Sequence, residues 1–230
     1  IRPLVLGKLN DTYILSSESC GLDIIGADLI KDVEPGEILI IKNNKIDSIK
    51  PFKKTYLRPC LFEYIYFSRP DSILEGRNVY DVRKSIGHQL AVENPNDNEI
   101  IDVVIPIPDS GNASALGYSE KIKKPFEFGI IRNHYTGRTF IEDSISVSNL
   151  WVMLKHNPNI FSFKDKSIAL VDDSIVRGTT SVKIVEMLRN CGVKNVHMRI
   201  ASPPVKHPCF YGIDTPTKEE LLASKFSIDQ

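Results

Sequence analysis

Apolar and polar positions alternate in short units at the start of the chain and in longer units after it. Leu4 to Leu6 and Tyr13 to Leu15 flank Gly7-Lys8-Leu9-Asn10-Asp11, which predicts an antiparallel hairpin. Leu22, Ile25 and Leu29 fall at near-helical spacing and predict a helix. Glu34-Pro35-Gly36-Glu37 reads as a turn before a strand from Ile38 to Ile41. Lys42-Asn43-Asn44-Lys45 reads as a second turn, before a short strand holding Ile46 and Ile49. Hairpins of this kind need partners on their edges. The stretch up to about Tyr56 is therefore expected to belong to something larger.

From about Asn78 the period changes. Asn78 to Glu93 reads as a helix, capped by Asn78 and ended near Asn94-Pro95. Asp102 to Ile107 is a nearly continuous apolar run, the mark of a strand buried on both faces. The loop Pro108-Asp109-Ser110-Gly111 leads into a helix reaching about Lys123, and Phe126 to Ile131 reads as a further strand. Ser167 to Val171 predicts another buried strand. A loop and a helix through Val182, Val185 and Leu188 follow, ended at Cys191-Gly192. Val196, Met198 and Ile200 alternate as a strand. Strands alternating with helices predict an α/β fold with a parallel sheet and helices on both faces, its ligands held at the carboxyl ends of the strands.

Composition narrows the classes without choosing among them. The 230 residues are 42% hydrophobic and 25% charged, which excludes a disordered or collagen-like chain. Twenty-nine basic residues balance 29 acidic ones, so the global charge offers nothing to nucleic acid, and no nucleic-acid partner is expected. No apolar run of 18 residues predicts a membrane span. The four cysteines (Cys20, Cys60, Cys191 and Cys209) form no CxxC pair. With no signal-peptide pattern at Ile1, reduced thiols and a cytoplasmic setting are expected. The apolar opening at Ile1 and the absence of tail character at Gln230 are expected of a piece of a longer protein.

The strongest chemical signal is Ile168 to Thr180, IALVDDSIVRGTT. A buried strand delivers two adjacent carboxylates, Asp172 and Asp173, to its end. Ser174 to Thr180 then turns into a helix, with Gly178 permitting close backbone approach and Ser174, Thr179 and Thr180 offering hydroxyls. N–H groups at a helix start favour a phosphate. Carboxylates beside it suit ribose hydroxyls or a magnesium ion. A capped surface helix preceded by acids is the plainer alternative, and paired acids alone would favour it. The ordered strand, acid pair, Gly-Thr-Thr loop and helix favour the phosphate site.

This segment resembles the phosphoribosylpyrophosphate (PRPP) motif of type I phosphoribosyltransferases, and its RGTT form resembles their glutamine-dependent amidotransferase branch. Matching motifs run through the chain: IRPLVLG at 1–7, EYIYFSRPDS at 63–72, PIPDSGNASALGY at 106–118, RNHYTGRTFI at 132–141 and SPPVKHPCFYGIDTP at 202–216. The resemblance implies that residues 1–57 are the antiparallel end of an Ntn-type (αββα) glutaminase domain. Residues 58–230 would be a phosphoribosyltransferase domain truncated at its C-terminus. It implies transfer of glutamine-derived ammonia to PRPP, giving 5-phosphoribosylamine, pyrophosphate and glutamate, at the first committed step of purine synthesis.

The same resemblance assigns roles. PRPP would be held by Asp109, Ser110, Gly111, Asp172, Asp173, Ser174, Arg177, Gly178, Thr179 and Thr180. Magnesium would sit near Ser110, Asp172 and Asp173. No side chain is given an acid–base role, because a departing pyrophosphate needs charge stabilisation above all. Cys60 and Cys209 match two ligands of a [4Fe–4S] cluster in the complete protein. Two thiolates cannot hold a cubane, so none is expected on this chain alone. The family's N-terminal cysteine nucleophile is not in this sequence, so ammonia would come from a glutaminase domain outside it. PRPP and purine nucleotides are the implied ligands, and a homo-oligomer the implied state of the complete protein.

One segment departs from the family. After Arg138-Thr139-Phe140-Ile141 the family carries Pro, Gln and Arg in a loop that closes over PRPP. Asp143, Ile145 and Ser148 stand there instead, with Trp151 in place of a usual Gly. Two alternatives to the amidotransferase follow. One is a phosphoribosyltransferase acting on a base, opposed by the SRPDS and HPCFYGID motifs. The other is a non-catalytic PRPP- or nucleotide-binding regulator of the same fold, favoured by the altered loop. Losing one cation beside a leaving group costs on the order of 3 kcal/mol in the transition state, roughly a hundredfold in rate. Restoring Pro, Gln and Arg at 143, 145 and 148, in a chain carrying the implied C-terminal region, should therefore raise ammonia-dependent turnover far more than PRPP affinity. Steady-state phosphoribosylamine formation beside a PRPP titration checks this.

Overall fold

A computed structural model describes residues 2–53, 55–133, 156–212 and 217–227. The chain divides into two compact units, residues 1–82 and 83–230. Among the described residues, no helix is long and apolar enough to cross a membrane.

The first unit opens with β1 (Val5–Leu9) and β2 (Thr12–Ser16), the expected hairpin, turned at Asn10-Asp11. The expected helix over Leu22 to Leu29 is corrected. Only α1 (Cys20–Asp23) is helical. Gly26 takes a positive φ of 70°, and β3 (Asp28–Asp32) pairs antiparallel with β1. Leu22 packs with Val5 and Ala27, whereas Leu29 lies on the strand. The next hairpin, β4 (Ile38–Lys42) with β5 (Lys45–Ile49), turns through Asn43 and Asn44, both at positive φ. A π-helical turn, Glu63–Phe67, precedes the small hairpin β6 (Ile73–Leu74) and β7 (Arg77–Asn78). Glu18 and Ser19 tie this later stretch to the first sheet. Glu18 Oε2 accepts from the Arg69 N–H at 2.8 Å and from the Ser72 hydroxyl at 2.7 Å, and Ser19 Oγ accepts from the Ile73 N–H at 2.7 Å.

The second unit is built on three parallel strands. In chain order they are β8 (Val103–Pro106), β11 (Ser167–Asp172) and β12 (Asn195–Ile200), and β11 is the middle strand. Two further strands, β9 (Ile130–Arg132) and β10 (His156–Pro158), form an antiparallel pair. The strand expected over Phe126 to Ile131 is thus shorter and later. Phe126 only bridges Val104, after which Gly129 passes so close to Ile105 that a Cβ there would lie 2.4 Å from Cδ1.

Helix α2 (Val79–Glu93) starts as expected, with the Asp81 N–H donating to Asn78 Oδ1 at 3.1 Å, and α3 (Asp97–Ile100) leads into β8. Helix α4 (Asn112–Ile122) follows β8, the short α5 (Ile160–Phe163) precedes β11, and α6 (Thr179–Asn190) follows it. The short α7 (Leu222–Lys225) comes last.

Alternation along the strands separates two apolar layers. Ile168 and Leu170 join Val103, Ile105, Ile184 and Leu188 on one face. Ala169 and Val171 join Val104, Ala115, Tyr118 and Ile122 on the other. The middle strand is covered on both sides, as its unbroken apolar run predicts.

Helices α2 and α4 touch backbone to backbone. A Cβ on Gly87 would lie 1.9 Å from the Ser114 carbonyl oxygen, and one on Gly117 would lie 2.0 Å from that of Lys84. Gly117→Ala must push the helices apart, so it should destabilise this unit by about 3 kcal/mol, the upper range for overpacking. Urea unfolding measures this, and a loss under about 0.5 kcal/mol would contradict so close an approach.

A candidate phosphate and metal site at the sheet's carboxyl edge

Strand β11 runs out of the core at Asp172. Asp172 and Asp173 are 9% and 6% exposed, so both carboxylates sit at the edge of a dry interior. Their backbone is held by the chain beyond β12. The Ala201 N–H donates to the Asp172 carbonyl at 3.0 Å, and the Ser202 N–H donates to the Asp173 carbonyl at 2.8 Å. Asp172 Oδ1 accepts from the Asp173 N–H at 2.8 Å, and Asp173 Oδ2 accepts from the Ser174 hydroxyl at 2.6 Å.

The following loop enters α6 through Gly178, whose φ of 80° suits glycine. No side chain caps α6, and its first turn carries no acid. Its N–H groups and the positive end of its dipole are therefore available to an anion. Thr179 and Thr180 are exposed, and Ser174 and Gly178 half-buried. The loop leans on the segment around α7: the Leu222 N–H donates to the Val176 carbonyl at 2.9 Å, and Arg177 Nε pairs with Glu220 Oε1 at 3.2 Å. Arg177, expected to face PRPP, thus has a carboxylate partner.

The second expected loop meets the first. Gly111 starts α4, and a Cβ there would lie 2.5 Å from the Val171 carbonyl oxygen, one residue before Asp172. The Ile107 N–H also donates to that carbonyl, at 2.8 Å, and the Gly111 N–H donates to the Ile107 carbonyl at 2.9 Å. The loop that ends at Gly111 thus packs against the end of the strand that carries the acid pair. Sequence reasoning gave Arg132 no role, yet from β9 it forms an ion pair with Asp109. Its position at the head of the RNHYTGRTFI motif was the available signal.

The charges define what the site attracts. Burial, and then the neighbouring Asp173 carboxylate, push the Asp172 carboxyl well above the ordinary carboxylate range. Two adjacent, half-dehydrated carboxylates fit a divalent cation such as magnesium, which would favour their ionised forms. Among the described residues, no group of three or more His, Cys, Asp or Glu side chains gathers to hold a metal, so remaining ligands would be water or substrate oxygens. Cys60 and Cys209 belong to different compact units, both half-buried. Two thiols do not fit a cubane. The closing loop with Asp143, Ile145, Ser148 and Trp151 lies outside the described residues.

The raised Asp172 carboxyl has a consequence for stability. An acid raised in the folded state binds its proton more tightly folded than unfolded, so stability falls as pH climbs above the ordinary value. In the presence of EDTA the protein should lose stability from pH 5 to pH 8, and Asp172→Asn should remove much of that loss. At pH 8 the variant should be the more stable of the two, and at pH 5 the difference should shrink. Urea unfolding at both pH values checks this.

Known proteins share this fold. Residues 71–202 match the family model described as the phosphoribosyl transferase domain. The chain is 53% identical to the amidophosphoribosyltransferase of Rhizobium etli over 99% of its own length and 46% of that protein. It is 46% identical to that of Bacillus subtilis over its whole length and 48% of the relative. The solved structure of glutamine PRPP amidotransferase from B. subtilis, complexed with ADP and GMP, matches with a TM-score of 0.91 at 46% identity. That match covers 99% of this chain and 50% of that one. The chain spans about half the length of the curated relatives it matches. By the extent of the domain match, the chain belongs to the phosphoribosyl transferase domain family, and the relatives it resembles along its entire length are amidophosphoribosyltransferases.

Proposed function

We propose that the loops at 109–111 and 172–180 bind PRPP with magnesium, and that the chain carries the phosphoribosyl-transfer half of an amidophosphoribosyltransferase. The observation that carries this reading is the contact of Gly111 with the Val171 carbonyl, which sets two anion-suited loops beside one acid pair. Residues 1–57 are read as the end of a glutaminase domain and 58–230 as most of the transferase domain.

Each group has a task. The N–H groups from Gly178 to Thr180 receive the 5′-phosphate, with the α6 dipole behind them. Asp172 and Asp173 orient the ribose through its hydroxyls. The backbone at Asp109 to Gly111 receives the pyrophosphate. Ammonia attacks C1 of the ribose, the C1–O bond to pyrophosphate breaks with its electron pair, and a proton leaves the new amine for solvent. Magnesium held near Ser110, Asp172 and Asp173 would stabilise the charge on the departing pyrophosphate.

Ammonia is supplied by the glutaminase domain of the longer protein. There, Cys60 and Cys209 are proposed as two of four [4Fe–4S] ligands. Purine nucleotides, which the B. subtilis structure contains as ADP and GMP, are the expected competing ligands. The expected setting is the cytoplasm and the expected state a homo-oligomer. The substitutions at Asp143, Ile145 and Ser148 favour a second reading, a PRPP-binding regulator without turnover; phosphoribosylamine formation from ammonia would exclude it.

Calorimetry tests the shared core of both readings. PRPP should bind in the presence of magnesium, and Asp172→Asn with Asp173→Asn should weaken that binding at least about tenfold, the equivalent of 1.4 kcal/mol. Unchanged magnesium-dependent affinity would remove the carboxylates from the site.

A further inference from the structure

The face of the sheet that carries Ala169 and Val171 also holds a polar cluster. Asp97, at the start of α3, is 3% exposed. Arg199 of β12 lays a two-pronged fork on its carboxylate: Nη2 donates to Oδ1 and Nε to Oδ2, each at 2.6 Å. The hydroxyl of Tyr118, fully buried on α4, donates to the same Oδ2. Arg199 Nη1 donates to the Met198 carbonyl at 2.9 Å. Burial pulls the Asp97 carboxyl upward, but Arg199 and Tyr118 more than offset this and hold it below the ordinary range.

A buried ion pair adds little net stability over apolar residues of the same volume, because desolvation offsets the attraction. A planar fork on a planar carboxylate does restrict geometry, since few arrangements satisfy both hydrogen bonds. The geometry so fixed leads to the site along two paths. Arg199 lies two residues before Ala201, and the Ala201 and Ser202 N–H groups hold the carbonyls of Asp172 and Asp173. Tyr118 stands on α4, whose N-cap residue is Gly111. Asp97 belongs to the connection between α2 and β8 and joins the two.

We propose that Asp97 is a positioning residue which, through Arg199 and Tyr118, sets the separation between the acid pair and the Asp109–Gly111 loop. The proposal rests on the PRPP reading above. It places Asp97 out of contact with any ligand. It also distinguishes ligands by their reach. PRPP engages both loops, so it is sensitive to their separation. Ribose 5-phosphate engages only the acid pair and the start of α6, so it is not.

The test compares these two ligands, with magnesium, on the unsubstituted chain and two variants. Arg199→Lys keeps the charge and loses the fork. The triple variant Asp97→Leu, Tyr118→Phe, Arg199→Met replaces the cluster with apolar groups. The triple variant should match or exceed the melting temperature of the unsubstituted chain while binding PRPP about tenfold more weakly, the equivalent of about 1.4 kcal/mol. Arg199→Lys should show a smaller loss in the same direction. Ribose 5-phosphate affinity should stay unchanged in both. Equal losses for the two ligands, or undiminished PRPP binding, would overturn the positioning role and leave the PRPP site standing. If the triple variant does not fold, the Arg199→Lys comparison decides. Failure of the unsubstituted chain to bind PRPP would overturn the functional reading and this inference with it.

Discussion

Everything at the site depends on a backbone strand crossing a dry interior. Ile168, Ala169, Leu170 and Val171 of β11 are all 0% exposed, so no water reaches their N–H and C=O groups. Buried backbone must find its partners within the protein. Here β8 and β12 supply them in parallel register, from Ile168 opposite Val103 and Val196 onward. A carboxylate has no place inside such a strand, because removing it from water costs several kcal/mol. It can stand only where the strand leaves the core, which is where Asp172 and Asp173 stand.

Parallel topology then concentrates the chemistry. Because β8 and β11 run side by side in one direction, the loops that leave them emerge at the same edge. One carries Asp109 to Gly111 and the other Ser174 to Thr180. Their proximity requires a residue without a side chain at 111, since any Cβ would meet the Val171 carbonyl. Gly178 does a different job in the other loop, taking the positive φ that turns the chain into α6. The two glycines account for how a pair of helix starts approach one acid pair.

Much of this was legible in the residues, where the information is local. The run IALVD announces a strand covered on both faces, and Asn78 and Gly192 announce helix ends that the structure contains. Leu22, Ile25 and Leu29 misled because their spacing fits a helix. The pairing of β3 with β1, across some twenty residues, decided otherwise, and Gly26 supplies the break. Arg177 pairs with Glu220, 43 positions away, which no spacing rule could anticipate. The same holds for Asp97 and Arg199, 102 positions apart. Long-range pairs of charges carry no periodic signature, so they emerge only once the strands are placed.

The proposed site requires one ligand to span both loops. Amide chemical shifts measured by NMR test this most directly, with ribose 5-phosphate and PRPP titrated separately in magnesium. Ribose 5-phosphate should move the amides of Asp173, Gly178, Thr179 and Thr180 and leave Ser110 and Gly111 unmoved, whereas PRPP should move both sets. PRPP shifts confined to one loop, or absent from both, would contradict it.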